Sequence, residues 1–461
     1  MPRKALSDVI VTLPGITGSV LQKDGKDVWN VSGGAALNAL RNLGGSIKHL
    51  QLKEDPPDVD DLGDGITAPR VIQDIHLIPG LWKIDGYSKL RKHILETFDV
   101  EAGRNFFEFP YDWRRDNRVA ARRLAHSSEH WLAKWRDSSG AHDAKLILVG
   151  HSMGGIIARY FLECLDGWRN TRTLITFGTP YRGSLGAVGT LANGVRKFGI
   201  FDLSDMARSF TSIYQLLPTY PCVDDGHGGF ARLTDAKVPN VDPAKAAAAA
   251  AFHQEIADAV TKHADDDAYR NGRYTIRPIV GILQPTAQSA RVDGKGVRLA
   301  KHHGDEDLAG DGTVPRPSAT PLELDEKDAM FSAERHASLQ NDDHVLLQLT
   351  GVTSGISINF AAYREAFPTV GLSLDVDDAY EPGEPIMVRA RPEEEVQETL
   401  VAVAVDTETG EERARGELRA ADDGWRTTEL APLGEGTYRV TVFGSGMVEP
   451  VSDVVLVAPS E

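Results

Sequence analysis

Short apolar runs alternate with helical patterns along most of this chain, and this alternation limits the fold more than any other feature. The runs are VIVTLPG (9–15), FFEFPYDW (106–113), KLILVG (145–150), TLITFGTP (173–180) and YTIRPIVGIL (274–283). Between them lie stretches such as 117–136, whose apolar residues recur at mostly helical spacing. Strands that are apolar throughout and separated by helices form a mainly parallel sheet covered on both faces. We therefore predict an α/β domain over residues 1–366.

The pattern changes near Phe367-Pro368 to short alternating strands separated by turn residues. Seven candidate strands follow, at 370–375, 385–390, 399–406, 413–418, 425–430, 437–443 and 453–457. This spacing predicts a small all-β sandwich of immunoglobulin or fibronectin type over residues 367–461. Its expected role is structural or interactive, so any protein partner is expected to bind there.

Two long segments read as insertions into the α/β domain. Residues 30–68 are rich in Gly and Asp, and residues 185–272 contain the helical stretch DPAKAAAAAAFHQEIADAVTKHA. Asp242 is the expected N-cap of that helix, with Pro243 in its first turn. Because long insertions beside a catalytic scaffold often cover it, we interpret both segments as lids or caps.

Composition and charge exclude several classes of protein. The 461 residues are 41% hydrophobic and 25% charged, which is typical of a folded protein, and no apolar run approaches the ~18 residues of a transmembrane helix. The net charge of −17 argues against a nucleic-acid partner. The N-terminal stretch lacks the apolar segment of a secretory signal, so a cytoplasmic location is expected.

The stretch GHSMG, residues 150–154, fits the G-x-S-x-G pattern of a nucleophilic serine. The alternative is that Ser152 is only a small residue in a tight turn. The apolar run before it and the helical MGGIIARYFLECL after it supply the strand, turn and helix that the motif requires. We therefore predict Ser152 as a nucleophile, which needs a histidine base and an acid to activate it.

Asp311, between two glycines in LAGDGTVPRPSA (308–319), is the candidate acid. The alternative for an isolated Asp-Gly pair is an ordinary turn. A calcium loop built from His302, His303, Asp305 and Asp307 is a competing interpretation, but it fails because Ala309 stands where an oxygen ligand is needed. No metal and no cofactor are expected.

Two histidines in AERHASLQNDDHVLLQLTG (333–351) compete for the role of base. The apolar pattern from Val345 predicts a helix that begins after Asn341 or Asp342. His336 then lies on the loop before that helix, where a side chain can reach the end of the sheet. We favour His336 and keep His344, in the first turn of the helix, as the alternative base.

An oxyanion hole requires amide N–H groups directed at the reacting carbonyl oxygen. One is expected from the residue after the nucleophile, Met153. The other is expected from the loop after the first strand, VIVTLPGITGS, where Ile16 is the candidate. The alternative for that loop is an ordinary strand exit.

Several stretches together resemble the lecithin:cholesterol acyltransferase family, which includes lysosomal phospholipase A2-like and bacterial relatives. They are LPGITGSVL (13–21), FPYDWRRDNR (109–118), GHSMGGIIARYF (150–161), LITFGTPYRGS (174–184), SIYQLLPTYP (212–221) and GDGTV (310–314). The resemblance implies an α/β-hydrolase fold, with Ser152 as nucleophile, Asp311 as acid and His336 as base. It also implies oxyanion amides at Ile16 and Met153, and a mainly structural role for YDWR (111–114).

The resemblance further implies hydrolysis or transfer of the acyl groups of glycerophospholipids or related esters. Residues 75–87, IHLIPGLWKIDGY, could present Leu77, Ile78, Leu81 and Trp82 to lipid, although such spacing is more often that of a core. Two alternatives remain open: an esterase or thioesterase for small acyl substrates, and a catalytically silent binding protein.

Overall fold

The computed structural model describes residues 2–29, 47–77, 83–197, 201–355 and 370–459. The predicted boundary at 366/367, residues 30–46 of the first insertion and residues Ile78, Leu81 and Trp82 lie outside these ranges. Within them, no helix combines the length and the apolar character needed to cross a membrane.

The strands before residue 356 form one large sheet and several small ones. They are β1 (Val9–Leu13), β2 (Ser19–Lys23), β3 (Lys26–Trp29), β4 (Ile66–Val71), β5 (His76–Leu77), β6 (Lys83–Ile84), β7 (Phe106–Glu108), β8 (Leu146–His151), β9 (Thr171–Phe177), β10 (Arg196–Lys197), β11 (Phe201–Asp202), β12 (Val223–Asp224), β13 (Phe230–Ala231), β14 (Thr275–Gly281), β15 (Ser289–Asp293), β16 (Gly296–Ala300) and β17 (Met330–Ser332).

The large sheet has the order β17-β14-β9-β8-β1-β7, and every neighbouring pair is parallel. Five of its strands are the five predicted apolar runs. The sixth, β17, is a three-residue edge strand whose first two residues are only half buried, so it leaves little pattern in the sequence. The predicted α/β-hydrolase fold is confirmed, with the strand that leads to Ser152 in the middle of the sheet.

The helices described are α1 (Ser88–Thr97), α2 (Asn117–Ser139), α3 (Met153–Cys164), α4 (Leu185–Asn193), α5 (Ser204–Ser209), α6 (Thr211–Tyr214), α7 (Pro243–Ala264), α8 (Asp267–Gly272) and α9 (Asp343–Thr353). Short 3-10 helices span Ile47–Leu50, Gly167–Asn170, Arg316–Ala319, Glu326–Asp328, Leu339–Asn341 and Asp422–Gly424.

Side chains of the large sheet are buried on both faces, as a parallel sheet requires. Val11, Leu148 and Leu174 share a core with α2 and α3, whereas Ile10 and Ile147 share one with α1 and α9. The alternation along each strand therefore sends successive residues to opposite layers of helices.

Local capping signals mark the helix starts that the sequence predicts. The Asp242 side chain accepts hydrogen bonds from the amides of Ala244 and Lys245 at the start of α7. Asp342 accepts one from the amide of Val345 at the start of α9. Helix α7 packs on α3, where the rings of Phe252 and Tyr160 stack at 5.2 Å. The interpretation of this insertion as a lid stays a prediction.

The residues beyond 369 form two antiparallel sheets, here called the C-terminal sheets. Their strands are β18 (Leu372–Asp375), β19 (Ala379–Tyr380), β20 (Ile386–Pro392), β21 (Val401–Asp406), β22 (Glu412–Glu417), β23 (Arg419–Ala420), β24 (Arg426–Leu430), β25 (Gly436–Phe443) and β26 (Val451–Val457).

The sheet orders are β18-β20-β24-β23 and β19-β26-β25-β21-β22, with a shared apolar core between them. All seven predicted strands are present. Two two-residue strands, β19 and β23, were not predicted, and β19 pairs with β26 in parallel. Sequence patterns of two residues are too short to be distinguished from turns.

Helix α3 packs so closely on the loop after β9 that no side chain fits at Gly155. A Cβ there would overlap the hydroxyl oxygen of Thr179 and stand 2.7 Å from its Cγ2. We expect Gly155→Ala to lower stability by about 1–3 kcal/mol, because overpacking forces the helix or the loop to move. A lower midpoint in thermal unfolding is the measurement.

Gly272→Ala is the matched control, because a Cβ at Gly272 meets nothing within 4 Å. That variant is expected to be unchanged or more stable by less than about 1 kcal/mol. Equal midpoints for both variants would contradict the close packing of α3.

Candidate active site

Ser152 occupies the sharp turn between β8 and α3 with backbone angles φ 52° and ψ −124°. This conformation is costly for a residue with a side chain and persists only where the surroundings hold it. Two hydrogen bonds do so: the Ser152 amide donates to the carbonyl of Phe177 at 2.9 Å, and the Thr179 hydroxyl donates to the carbonyl of Ser152 at 3.0 Å.

The glycines around Ser152 are required by close approach of the backbone. A Cβ on Gly154 would lie 2.5 Å from the carbonyl oxygens of Leu13 and Pro14, and one on Gly150 would lie 2.7 Å from the Cα of Gly155. The small residues of the motif therefore allow the first turn of α3 to rest on β1 and β8.

His336 connects Ser152 with Asp311. Its Nε2 lies 3.0 Å from Ser152 Oγ, and its Nδ1 lies 2.7 Å from Asp311 Oδ2. A carboxylate can only accept, so Nδ1 carries the proton and Nε2 is left to accept from the serine hydroxyl. All three residues are buried, with 5%, 6% and 1% of Ser152, His336 and Asp311 exposed.

The Asp311 loop also forms the turn that the sequence left as an alternative. Asp311 Oδ1 accepts from the amides of Thr313 at 2.9 Å and Val314 at 2.7 Å, which leaves Oδ2 for His336. Gly178, at φ 53°, makes room: a Cβ there would lie 2.6 Å from Asp311 Oδ2. One aspartate therefore shapes its own loop and orients the imidazole.

The alternative residues lie elsewhere. His344 is half buried in the first turn of α9, and the imidazole that contacts Ser152 is that of His336. The rings of His302 and His303 contact the carbonyls of Gly304 and Pro221 at 2.8 Å. Asp307 accepts from the Gln288 side chain and the Ala309 amide.

The loop after β1 lies against Ser152. A Cβ on Gly15 would stand 3.0 Å from Ser152 Cβ. Within the described residues, the amides of Ile16 and Met153 donate to no protein acceptor, although both residues are buried. The assignment of these two amides to an oxyanion hole stays a prediction.

Two residues that sequence reasoning missed connect this loop to the His336 loop. The Tyr87 hydroxyl accepts from the Gly15 amide at 2.7 Å and contacts His151 Nδ1 at 2.7 Å, while His151 Nε2 lies 3.1 Å from the carbonyl of His336. The carbonyl can only accept, so Nε2 donates to it and Nδ1 accepts from Tyr87.

Burial lowers the pKa of His151 well below its usual value, and the neighbouring His336 lowers it further. His151 is therefore neutral and acts as a spacer between two loops. The position of His151 inside the GHSMG motif could have indicated a role at the site. Nothing in the sequence indicated a role for Tyr87, which lies 64 residues from His151.

The predicted structural role of YDWR is confirmed. The guanidinium of Arg114 donates to both carboxylate oxygens of Asp112, at 2.8 and 2.6 Å, and to Asp64 at 2.9 Å. The Tyr111 hydroxyl donates to the carbonyl of Pro14 at 2.7 Å. The segment thus ties the first insertion to the loop that follows β1.

A cavity of about 550 Å³ opens between α3, α7 and the loops near residues 219 and 322. Apolar side chains such as Ile156, Leu233 and Val260 line it together with Arg182 and Arg232. Ser152 and His336 are not among its lining residues.

Comparison with known proteins gives one family and several distant relatives. Residues 49–271 match the family described as lecithin:cholesterol acyltransferase. An uncharacterized protein of Saccharomyces cerevisiae is 26% identical over 173 residues, which are 37% of this chain and 23% of that protein. The chain thus matches about a quarter of the length of that relative.

Two solved structures are similar at low identity. The mature form of the Bacillus licheniformis lipase BlEst2 is 12% identical, with 77% of this chain and 93% of that chain covered and a TM-score of 0.31. The phospholipase PlaB of Legionella pneumophila is 9% identical, with 85% and 91% covered and a TM-score of 0.27. Over residues 49–271, slightly less than half of its length, the chain is thus similar to the lecithin:cholesterol acyltransferase family.

Proposed function

We propose that the protein is a serine hydrolase or acyltransferase that cleaves or transfers the acyl chains of lipid esters through an acyl-enzyme on Ser152. The observation that carries the proposal is the continuous hydrogen bonding from Asp311 through His336 to Ser152, at 2.7 and 3.0 Å. Nucleophile, base and orienting acid within this reach are the arrangement that acyl transfer requires.

In the first half of the reaction, Ser152 Oγ attacks the ester carbonyl while His336 Nε2 takes the hydroxyl proton. The amides of Ile16 and Met153 stabilise the negative charge on the tetrahedral oxygen. Asp311 keeps Nδ1 protonated and stabilises the imidazolium. Collapse breaks the bond to the leaving alcohol, which takes the proton from Nε2 and leaves an acyl-serine.

In the second half, His336 removes a proton from water or from an acceptor alcohol, which attacks the acyl-serine. The same two amides hold the second tetrahedral oxygen, and Ser152 leaves with the proton from Nε2. Water yields a free fatty acid, and an alcohol yields a new ester. None of these steps calls for a metal or a cofactor.

The family match supports lipid esters as the substrate class. Two alternative functions remain. An esterase or thioesterase for small acyl substrates would use the same catalytic steps, and a catalytically silent binding protein would carry out none of them. These two alternatives are distinguished by the experiments that follow.

A fluorophosphonate probe tests the nucleophile directly. We expect stoichiometric labelling of the wild type and none of Ser152→Ala, because the probe reacts only with an activated serine. Intact-mass spectrometry is the measurement. A wild type that stays unlabelled would favour the silent binding protein.

Kinetics of histidine and acid variants test the assignment of the base. His336→Ala is expected to lower kcat by about 1,000-fold or more, and Asp311→Asn by an amount on the order of 10⁴-fold. His344→Ala should stay close to the wild type, since His344 has no contact with Ser152. If instead His344→Ala were inactive and His336→Ala active, the assignment of the base would be wrong.

A substrate panel tests the acyl class. Phosphatidylcholine vesicles and p-nitrophenyl esters with acyl chains from 2 to 16 carbons are compared, with Ser152→Ala as the background. We expect kcat/KM to rise with chain length and vesicles to be hydrolysed. Activity confined to acetyl and butyryl esters would favour the small-ester alternative, and added alcohol distinguishes transfer from hydrolysis by the product.

A further inference from the structure

The C-terminal sheets contact the loop that carries His336. We propose that these sheets are a working part of the active site and that Asp453 is a positioning residue, which acts on His336 through Arg335. This inference rests on the proposed function, because it takes His336 as the base.

Asp453 lies on β26 with its side chain 0% exposed. Its Oδ2 is 2.6 Å from Arg335 Nε, and its Oδ1 is 2.6 Å from Lys83 Nζ. A buried carboxylate requires paired cations, and here both cations come from the α/β part of the chain. Loss of the Asp453 carboxylate would remove the ion-pair partner of Arg335, whereas Lys83 would keep Asp378, whose Oδ1 lies 2.7 Å from its Nζ.

Arg335 immediately precedes His336. Its guanidinium has two partners on the C-terminal sheets: the ion pair with Asp453, and the carbonyl of Leu374 on β18, to which Nη1 donates at 2.6 Å. A guanidinium held at two points fixes the backbone from which His336 projects. A displacement of about 1 Å at a reacting group can reduce the rate by ~10²-fold.

A second contact ties the same loop to β26. Glu334 Oε1 accepts from the amides of Arg335 at 2.8 Å and Ser452 at 3.0 Å. Burial raises the pKa of Glu334 well above its usual value, and Asp342 and Asp453 raise it further. Two consecutive residues before His336 are therefore held by β26.

The loop of Asp311 is held by β18. The fully buried Gln284 accepts from the amide of Leu374 at 2.9 Å and donates to the carbonyl of Leu372 at 2.8 Å. The backbone amide of Gln284 donates to the carbonyl of Gly310 at 2.9 Å, and Gly310 immediately precedes Asp311. Gln284 thus connects β18 with the loop of Asp311, through its side chain on one side and its backbone on the other.

A third attachment reaches the Tyr87 segment. Arg439 on β25 forms an ion pair with the buried Asp85, whose amide donates to the carbonyl of Ala337 at 2.9 Å. Asp85 lies two residues before Tyr87, which contacts both Gly15 and His151. The C-terminal sheets therefore contact the His336 loop directly, and they reach the Asp311 loop and Tyr87 through Gln284 and Asp85.

Apolar contacts keep the sheets docked independently of these charges. Ile75 packs with Val454, Leu456 and Ala458 in one buried cluster. Removal of a single charge is therefore expected to shift the His336 loop rather than to release the sheets.

The test is Asp453→Asn in the full chain, which keeps the shape of the side chain and removes its charge. Active sites are titrated with the fluorophosphonate probe, and kcat is expressed per labelled site at a temperature well below unfolding. We expect kcat to fall about 10- to 100-fold with KM within about twofold of the wild type. Asp453→Glu, which restores the charge, should recover part of the loss.

Asp406→Asn is the matched control. Asp406 lies on β21 of the same sheet, and its carboxylate accepts from the amides of Glu408 and Thr409, within the C-terminal sheets. It should keep the wild-type kcat per labelled site. If Asp453→Asn does not fold, Arg335→Lys carries the test, because it keeps a cation for Asp453 and loses the bond to Leu374.

The outcomes distinguish the two proposals. Suppose that the wild type is active and that Asp453→Asn lowers only the labelled fraction or the thermal midpoint, with kcat per labelled site unchanged. The sheets would then stabilise the fold without positioning His336. The same result for Arg335→Lys would overturn the inference equally. A wild type that neither labels nor hydrolyses would overturn the proposed function and this inference with it.

Discussion

The left-handed backbone at Ser152 is the constraint on which the rest of the structure depends. It exists because the carbonyl of Phe177 and the hydroxyl of Thr179 hold the turn from β9, and because glycines let α3 rest on β1 and β8. The sheet must therefore place β8 between β1 and β9. The same three strands then bring the first loop, the serine and Gly178 to one edge, where the His336 and Asp311 loops can reach them.

Features with a local physical cause could be predicted from the sequence. Five apolar runs indicate five strands because a strand that is covered on both faces is composed mainly of apolar residues. Asp242 and Asp342 indicate helix starts because a side-chain oxygen satisfies free amides in the first turn. The Ser152 motif predicts a sharp turn between a strand and a helix. The order of serine, acid and base along the chain then guided the choice of Asp311 and His336.

Features made by distant single contacts could not be predicted. Tyr87 and His151 are 64 residues apart, and Ser452 and Glu334 are 118 residues apart. The role of a single polar residue at such a position cannot be recognised in the sequence, because it depends on a partner that only the fold brings into contact. The sequence analysis accordingly assigned no chemistry to the C-terminal strands, which meet the α/β part through Asp453, Gln284 and Arg439.

The long separation between Arg335 and Asp453 has a consequence for the order of events during synthesis. The large sheet is complete once β17 has emerged, whereas the carboxylate that neutralises Arg335 follows more than a hundred residues later. Domains generally fold from the N-terminal side as the chain grows. On the two proposals above, a nascent chain folds its core before β26 can hold the His336 loop, and full activity follows only after β26 has paired with β25.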